Sequence, residues 1–253
     1  MIKFTKKKIF GSRLSIKQPV NGYRAAIDPI LLAAAIPAKP GERVFDVGAG
    51  AGVASLALAV RVRNIQIQGI EIQTEYVQLA KENARHNEFE NRVSFFDGDI
   101  SKIDKKPILD SFNHVMTNPP FIKAGQGRVS KHYARATANM ESKLGLTDWI
   151  NFCIRVVKTR GTITLIHRAD RLEQILSAFN GKVGGLIIYP FWAGLEKVSG
   201  LRPAKRVIVQ GRKGINSPTT LTAGLLLHNI DGGDTEAAKN VLSEAKEIKL
   251  SSY

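Results

Sequence analysis

Apolar positions in this chain fall into short runs that alternate with longer, helix-compatible stretches. Arg43 to Val47, Ile65 to Ile70, Val93 to Phe96 and Phe112 to Met116 are each apolar along most of their length. Runs of that length with few polar positions read as strands buried on both faces of a sheet. Val53 to Val60 is built of small apolar residues and predicts a helix. Further along, Leu146 to Lys158 predicts a helix with Thr147 as a candidate cap, Gly161 to Ile166 a strand and Asp170 to Phe179 a helix. Leu186 to Tyr189 and Arg206 to Val209 read as a closing strand pair, and Thr235 to Ile248 as an amphipathic packing helix. Strands alternating with helices predict a parallel α/β sheet covered by helices on both faces. The chain shows no internal repeat.

Glycines punctuate the first strand-to-helix junction, where Asp46-Val47-Gly48-Ala49-Gly50-Ala51-Gly52 follows the strand. Glycine there lets the backbone come close to a ligand. The next strand ends at Glu71, 19 residues after Gly52 (71 − 52). A carboxylate at that strand tip is placed to accept hydrogen bonds from two ribose hydroxyls. The spacing is Gly-x-Gly-x-Gly, which differs from the Gly-x-Gly-x-x-Gly of dinucleotide folds. With Asp99 after the third strand, the three features point to a cofactor that contains a nucleoside.

Asn118-Pro119-Pro120-Phe121 follows the fourth strand. Two prolines stiffen the turn and remove two backbone donors, leaving carbonyls that can only accept. A planar ring with an exocyclic amine fits such a site: its hydrogens go to the Asn118 side-chain oxygen and the Pro119 carbonyl, and its face stacks on Phe121. The plain alternative is a stiffened turn after a core strand.

These features together resemble the class I S-adenosylmethionine-dependent methyltransferases, and more narrowly the bacterial valine-tRNA adenine-37 N6-methyltransferases. Asn21-Gly22-Tyr23-Arg24 with Asp28 and Leu31-Leu32-Ala33, Glu82-Asn83 with Asn87, and Ala134-Arg135 carry the narrower resemblance, which extends from about residue 18 to 212. It implies a Rossmann-like seven-stranded, mostly parallel sheet with a closing antiparallel strand. It implies S-adenosyl-L-methionine as cofactor, held by Asp46, Gly48, Ala49, Gly50, Gly52, Glu71, Ile72, Asp99 and Asn118. Asn118, Pro119, Pro120 and Phe121 would be the catalytic segment, and Asp28 would lie near the methionine end of the cofactor. From the residues alone, Asp28 reads equally as a helix-start residue before Pro29. The subfamily usually has Tyr where this chain has Phe121; Phe there also occurs in methylases acting on guanine N2 of ribosomal RNA.

Charge locates the substrate half. The 37 basic and 22 acidic residues leave +15 overall. Residues 1–45 carry 9 basic and 2 acidic side chains (+7), 46–120 carry 8 and 10 (−2), 121–213 carry 17 and 5 (+12), and 214–253 carry 3 and 5 (−2). A merely solvated face does not predict that split, whereas a polyanionic substrate does, because lysines and arginines displace counterions from phosphates. Candidate phosphate contacts are Arg24, Arg128, Lys131, Arg135, Arg202, Lys205 and Arg206, with His132 a weaker one; Ile122 to Ser142 reads as a substrate-gripping loop. Residues 1–20 form a basic arm, either a phosphate-reaching tail or an edge hairpin, and residues 21–253 a single methyltransferase domain.

Cys153, the only cysteine, lies in an apolar stretch, so no internal disulfide or multi-cysteine metal site is available. The chemistry implied by the resemblance needs no metal. Without a membrane-length apolar run or a signal-peptide pattern, the expectation is a cytoplasmic enzyme, a monomer by default, with tRNA as its partner. Three activities fit: N6-methylation of a tRNA adenine next to the anticodon, methylation of another amine (guanine N2 of ribosomal RNA or a glutamine of a protein factor), and RNA binding by a fold without turnover.

Overall fold

The computed structural model describes residues 4–19, 27–103, 109–120, 144–196 and 200–250. Strand β1 (Phe4–Ile9) and β2 (Leu14–Pro19) form a hairpin, followed by α1 (Asp28–Ala34), β3 (Arg43–Val47), α2 (Val53–Arg61), β4 (Gln66–Glu71), α3 (Thr74–His86) and β5 (Val93–Asp97). Next come β6 (Phe112–Thr117), α4 (Leu146–Val156), β7 (Val157–Arg168), α5 (Leu172–Phe179) and β8 (Val183–Trp192). The chain ends with β9 (Leu195–Glu196), β10 (Gly200–Leu201), β11 (Arg206–Lys213), β12 (Thr220–Leu221), β13 (Leu225–Leu226) and α6 (Glu236–Leu242).

The main sheet runs β12-β8-β11-β7-β6-β3-β4-β5, with β13 also paired to β8. Strands β5, β4, β3, β6 and β7 are parallel, and β11 lies antiparallel between β7 and β8. The expected seven-stranded, mostly parallel sheet with a closing antiparallel strand is therefore present, extended at the β8 edge by two two-residue strands. Alternate residues of each central strand face opposite layers: Val44, Ile67 and Met116 pack with α1, α2, α3 and α6, whereas Phe45, Ile70 and Val115 pack with α4 and α5.

Several boundaries differ from the sequence reading. Helix α4 is capped by Gly145 rather than Thr147, and it gives way at once to β7 because Val157 pairs with Phe112. Helix α5 starts at Leu172, after a single 3-10 turn at Ala169–Arg171. The C-terminal helix stops at Leu242, well short of Ile248; Ala245 has φ +56°, and the Ile248 amide instead donates to the Ala34 carbonyl.

The basic arm folds as a hairpin, though not on an edge of the main sheet. Its apolar residues Ile9, Leu14 and Ile16 join the core beneath it. The outer edge of β2 is satisfied by two side chains one turn apart, Asn83 on α3 and Asn87 at the cap of its C-terminus. Asn83 accepts from the Lys17 amide at 2.9 Å and donates to the Lys17 carbonyl at 3.1 Å. Asn87 accepts from the Ser15 amide and donates to its carbonyl, both at 2.8 Å. The two amides stand in for a third strand. Asn83 also donates to the Ala51 carbonyl at 3.0 Å, within the glycine turn. We expect Asn83→Ala to lower stability by about 2–3 kcal/mol, since three backbone groups lose their partner. Urea denaturation reads the loss, and a change under about 0.5 kcal/mol would mean water replaces the amide.

Candidate functional site

Chain order reverses between β3 and β6: the chain moves outward from β3 through β4 and β5, then returns to the other side of β3. Open α/β sheets bind ligands at such a switch point, outside the carboxyl ends of the strands. Val47 pairs with Thr117, so the glycine turn after β3 and the Asn-Pro-Pro turn after β6 emerge side by side.

The glycine turn is held from beneath. The amides of Gly48 and Ala49 both donate to the Ile70 carbonyl, at 2.9 and 3.0 Å. Gly48, Gly50 and Gly52 have φ of +75°, +53° and +81°, which favours glycine at all three. A Cβ on Gly48 would come within 2.8 Å of the Trp149 ring, and one on Gly52 within 2.7 Å of Phe95. Gly50 differs, because a Cβ there meets nothing within 4 Å. The turn is packed on two sides and open at its crest.

Glu71 ends β4 beside that crest. Its Oε2 accepts from the Gly50 amide and its Oε1 from the Gln73 amide, each at 3.0 Å. A carboxylate offers about four acceptor positions, so the group keeps capacity for a further donor, such as a hydroxyl of a vicinal diol. Burial raises the Glu71 pKa, and the bonds from Gln73 and Gly50 oppose that rise. Ile72, next to it, leaves 37% of its surface exposed and offers an apolar face. Asp99 lies two residues past the end of β5; its Oδ1 accepts from the Ser101 amide and hydroxyl at 3.0 and 2.6 Å. Asp46 is fully buried under the turn, where Ser55 Oγ donates to its Oδ2 at 2.6 Å. Burial pushes the Asp46 pKa up to about 7, with the Glu71 charge adding and the Ser55 bond opposing. The open crest, the Glu71 carboxylate and the adjacent apolar face suit a ribose and its base.

The Asn-Pro-Pro turn is anchored by a relay that the sequence reading missed. Trp149 Nε1 donates to Thr117 Oγ at 2.8 Å, and that hydroxyl donates to the Val47 carbonyl at 2.7 Å. Helix α4, β6 and β3 are thereby joined directly beneath Asn118 and Gly48. Pro119 is buried, while Asn118 and Pro120 are half-exposed. Phe121, Arg24, Arg128, Lys131, Arg135 and His132 lie outside the described residues, as does the 122–142 loop.

Arg206 opens β11, cross-strand from Arg168 at the end of β7, on the same sheet edge as Asn118. Arg202 and Lys205, both exposed, precede it. Arg206 is tied down, since its Nε donates to Asp28 Oδ2 at 2.8 Å. Asp28 is the first residue of α1, as its helix-start reading has it, and its carboxylate faces Arg206. Arg168, which the sequence analysis did not single out, ends β7 on that edge. It pairs with Asp170 and is exposed.

Cys153 and His114 lie away from these turns, packed into the fold. Cys153 is fully buried and burial raises its thiol pKa strongly. His114, at the opposite edge of the sheet, is held between Glu42 at 2.9 Å and Thr162 at 2.7 Å. Among the described residues no cluster of three or more His, Cys, Asp or Glu could hold a metal ion, and no helix is long and apolar enough to cross a membrane.

Residues 26–143 match the family model "Methyltransferase small domain". Proteins named tRNA1(Val) (adenine(37)-N6)-methyltransferase are similar to this chain. That of Vibrio campbellii is 25% identical over 65% of this chain and 67% of its own length. That of Porphyromonas gingivalis is 28% identical over 64% and 66%, and that of Aeromonas hydrophila 29% over 60% and 63%. The chain thus spans about two thirds of these relatives. Among solved structures, a predicted O-methyltransferase from Agrobacterium tumefaciens superposes with a TM-score of 0.71 at 23% identity, covering 87% of this chain and 98% of that one. At that identity the likeness establishes the fold alone.

Proposed function

We propose that this chain, whose residues 26–143 match a methyltransferase small domain, methylates an exocyclic amine of an RNA base, with S-adenosylmethionine as the donor. The acceptor we favour is N6 of an adenine in tRNA, at the position 3′ to the anticodon. One observation carries the reading: an acceptor-rich Asn118-Pro119 turn stands beside an open-crested glycine turn at the switch point of the sheet. The names of the relatives support the choice of tRNA and adenine.

When bound, the cofactor supplies a methyl group activated by its sulfonium. The protein's task is alignment. Glu71 would hold the ribose, Ile72 and Asp99 the adenine end, and the Gly48–Gly52 backbone the remainder. An exocyclic amine is a weak nucleophile because its lone pair is delocalised into the ring. Acceptance of its two hydrogens by the Asn118 side-chain oxygen and the Pro119 carbonyl would favour the pyramidal nitrogen that attack requires. Phe121 would stack on the base and contribute roughly 1–3 kcal/mol of binding. A stacked base must be flipped out or come from a loop, which an anticodon-loop adenine satisfies. Arg202 and Lys205, exposed on the same edge, would supply positive charge for the flanking phosphates.

The test is methyl transfer from labelled S-adenosylmethionine to RNA from cells lacking this protein, followed by nucleoside analysis of separated tRNA and ribosomal RNA. N6-methyladenosine in tRNA is the expected product. N2-methylguanosine in ribosomal RNA would favour the second reading, which Phe121 motivates. Transfer to protein alone would overturn both.

A further inference from the structure

A second cationic surface lies away from the sheet edge, between the N-terminal hairpin and α3. A groove of about 250 Å³ is lined there by Lys6 and Lys17 of the hairpin and by Glu82, Arg85 and His86 of α3, with Asn83 on its buried side. Lys17 sits 2.9 Å from Glu82, which leaves Lys6 and Arg85 as exposed cations that no acid in the groove offsets. Lys6 lies cross-strand from Lys17 and Lys8 cross-strand from Ser15, so strand alternation puts all three lysines on the groove face of the hairpin.

An aromatic ring completes the surface. Phe4 is 41% exposed, which is costly for a ring of its size, and the Lys17 ammonium lies 4.9 Å from its centroid. Cations spaced along a groove beside an exposed aromatic ring form the combination that binds single-stranded nucleic acid: the cations follow the backbone and the ring takes a base face. Asn83, 1% exposed, bonds both to Lys17 and to Ala51 of the glycine turn, so one side chain separates the groove from the cofactor turn. A strand held in the groove is held in fixed relation to that turn.

We propose that this groove binds an unpaired segment of the substrate RNA away from the target base, with Lys6 and Arg85 on phosphates and Phe4 stacked on a base. The inference rests on the RNA reading given above and adds to it a docking site outside the carboxyl edge of the sheet. It is tested by equilibrium binding of an unmodified valine-tRNA transcript across a range of salt concentrations. The wild type is compared with Lys6→Ala/Arg85→Ala and with Phe4→Ala. All three substitutions are at exposed positions, and unchanged S-adenosylmethionine affinity confirms that each variant is folded. Loss of two phosphate contacts should lower the slope of log K against log salt by about 1.4 and weaken binding about tenfold. Phe4→Ala should weaken binding about tenfold with the slope unchanged. An unaltered slope in the double variant, or unaltered affinity in Phe4→Ala, overturns the assignment. A wild type that binds the cofactor but no RNA removes the RNA reading and the groove with it.

Discussion

Asn118→Ala is expected to slow methyl transfer to RNA by about 10²–10³-fold, while the affinity for S-adenosylmethionine stays within a few fold. The asymmetry follows from how the turn is built. The Trp149–Thr117–Val47 relay beneath it and the two prolines after it hold its backbone. Removing the carboxamide should therefore delete one proposed acceptor for the amine hydrogens while the Pro119 carbonyl stays in place. The lost interaction matters most when the nitrogen becomes pyramidal, so the effect belongs in kcat more than in KM. Single-turnover kinetics with saturating cofactor and RNA separate the two. Parallel loss of cofactor binding and fold would make Asn118 a structural residue. Thr117→Val offers the contrast, because it breaks the relay itself and should lower stability as well as rate.

The parts of the site that are legible in the sequence are those fixed by neighbours in the chain. Strands β3, β4, β5 and β6 carry short apolar runs whose buried residues feed the layers on the two faces of the sheet, so the runs stand out, and the candidate site residues Gly48, Glu71, Asp99 and Asn118 follow directly from where those runs stop. The N-terminal arm reads equally as a tail or a hairpin because its four core residues, Ile9, Phe10, Leu14 and Ile16, are scattered among lysines and other polar positions, and its outer edge is completed by Asn83 and Asn87, 66 and 72 positions away. No local pattern reports such a partner. The same holds for the start of β7, where pairing of Val157 with Phe112 overrides an amphipathic pattern that would otherwise run on. The Thr235 to Ile248 pattern is real as a set of buried positions, since Ala238, Val241, Ala245 and Ile248 are all buried. Only its first half is helical, because the second half spends its hydrogen bonds elsewhere, as the Ile248 amide does on Ala34. Burial can be read from spacing; the conformation that achieves it depends on partners.

Asp46→Asn should change how stability depends on pH, and the sign follows from where the carboxyl sits. Burial raises its pKa from 3.8 to about 7 in the folded protein. Below about pH 4 the group is protonated in folded and unfolded chains alike and contributes no difference. Between there and pH 7 the unfolded chain loses its proton first, so folding is progressively penalised as pH rises; above pH 7 the penalty is complete. The shift, about 7 minus 3.8, corresponds to a loss on the order of 4 kcal/mol between those limits. Asparagine does not titrate, so the stability difference between the Asp46→Asn variant and the wild type should move in favour of the variant from about pH 4 to about pH 7 and then level off. Urea denaturation at pH 5, 6, 7 and 8 measures it. A difference constant over that range would mean Asp46 keeps an ordinary pKa, with its charge solvated or compensated. The cofactor's positive charge should act in the opposite sense. If it is held at the glycine turn above Asp46, as we propose, binding near pH 7 favours the ionised carboxylate and releases a proton. Calorimetry in two buffers of different ionisation enthalpy detects that release, which Asp46→Asn should abolish.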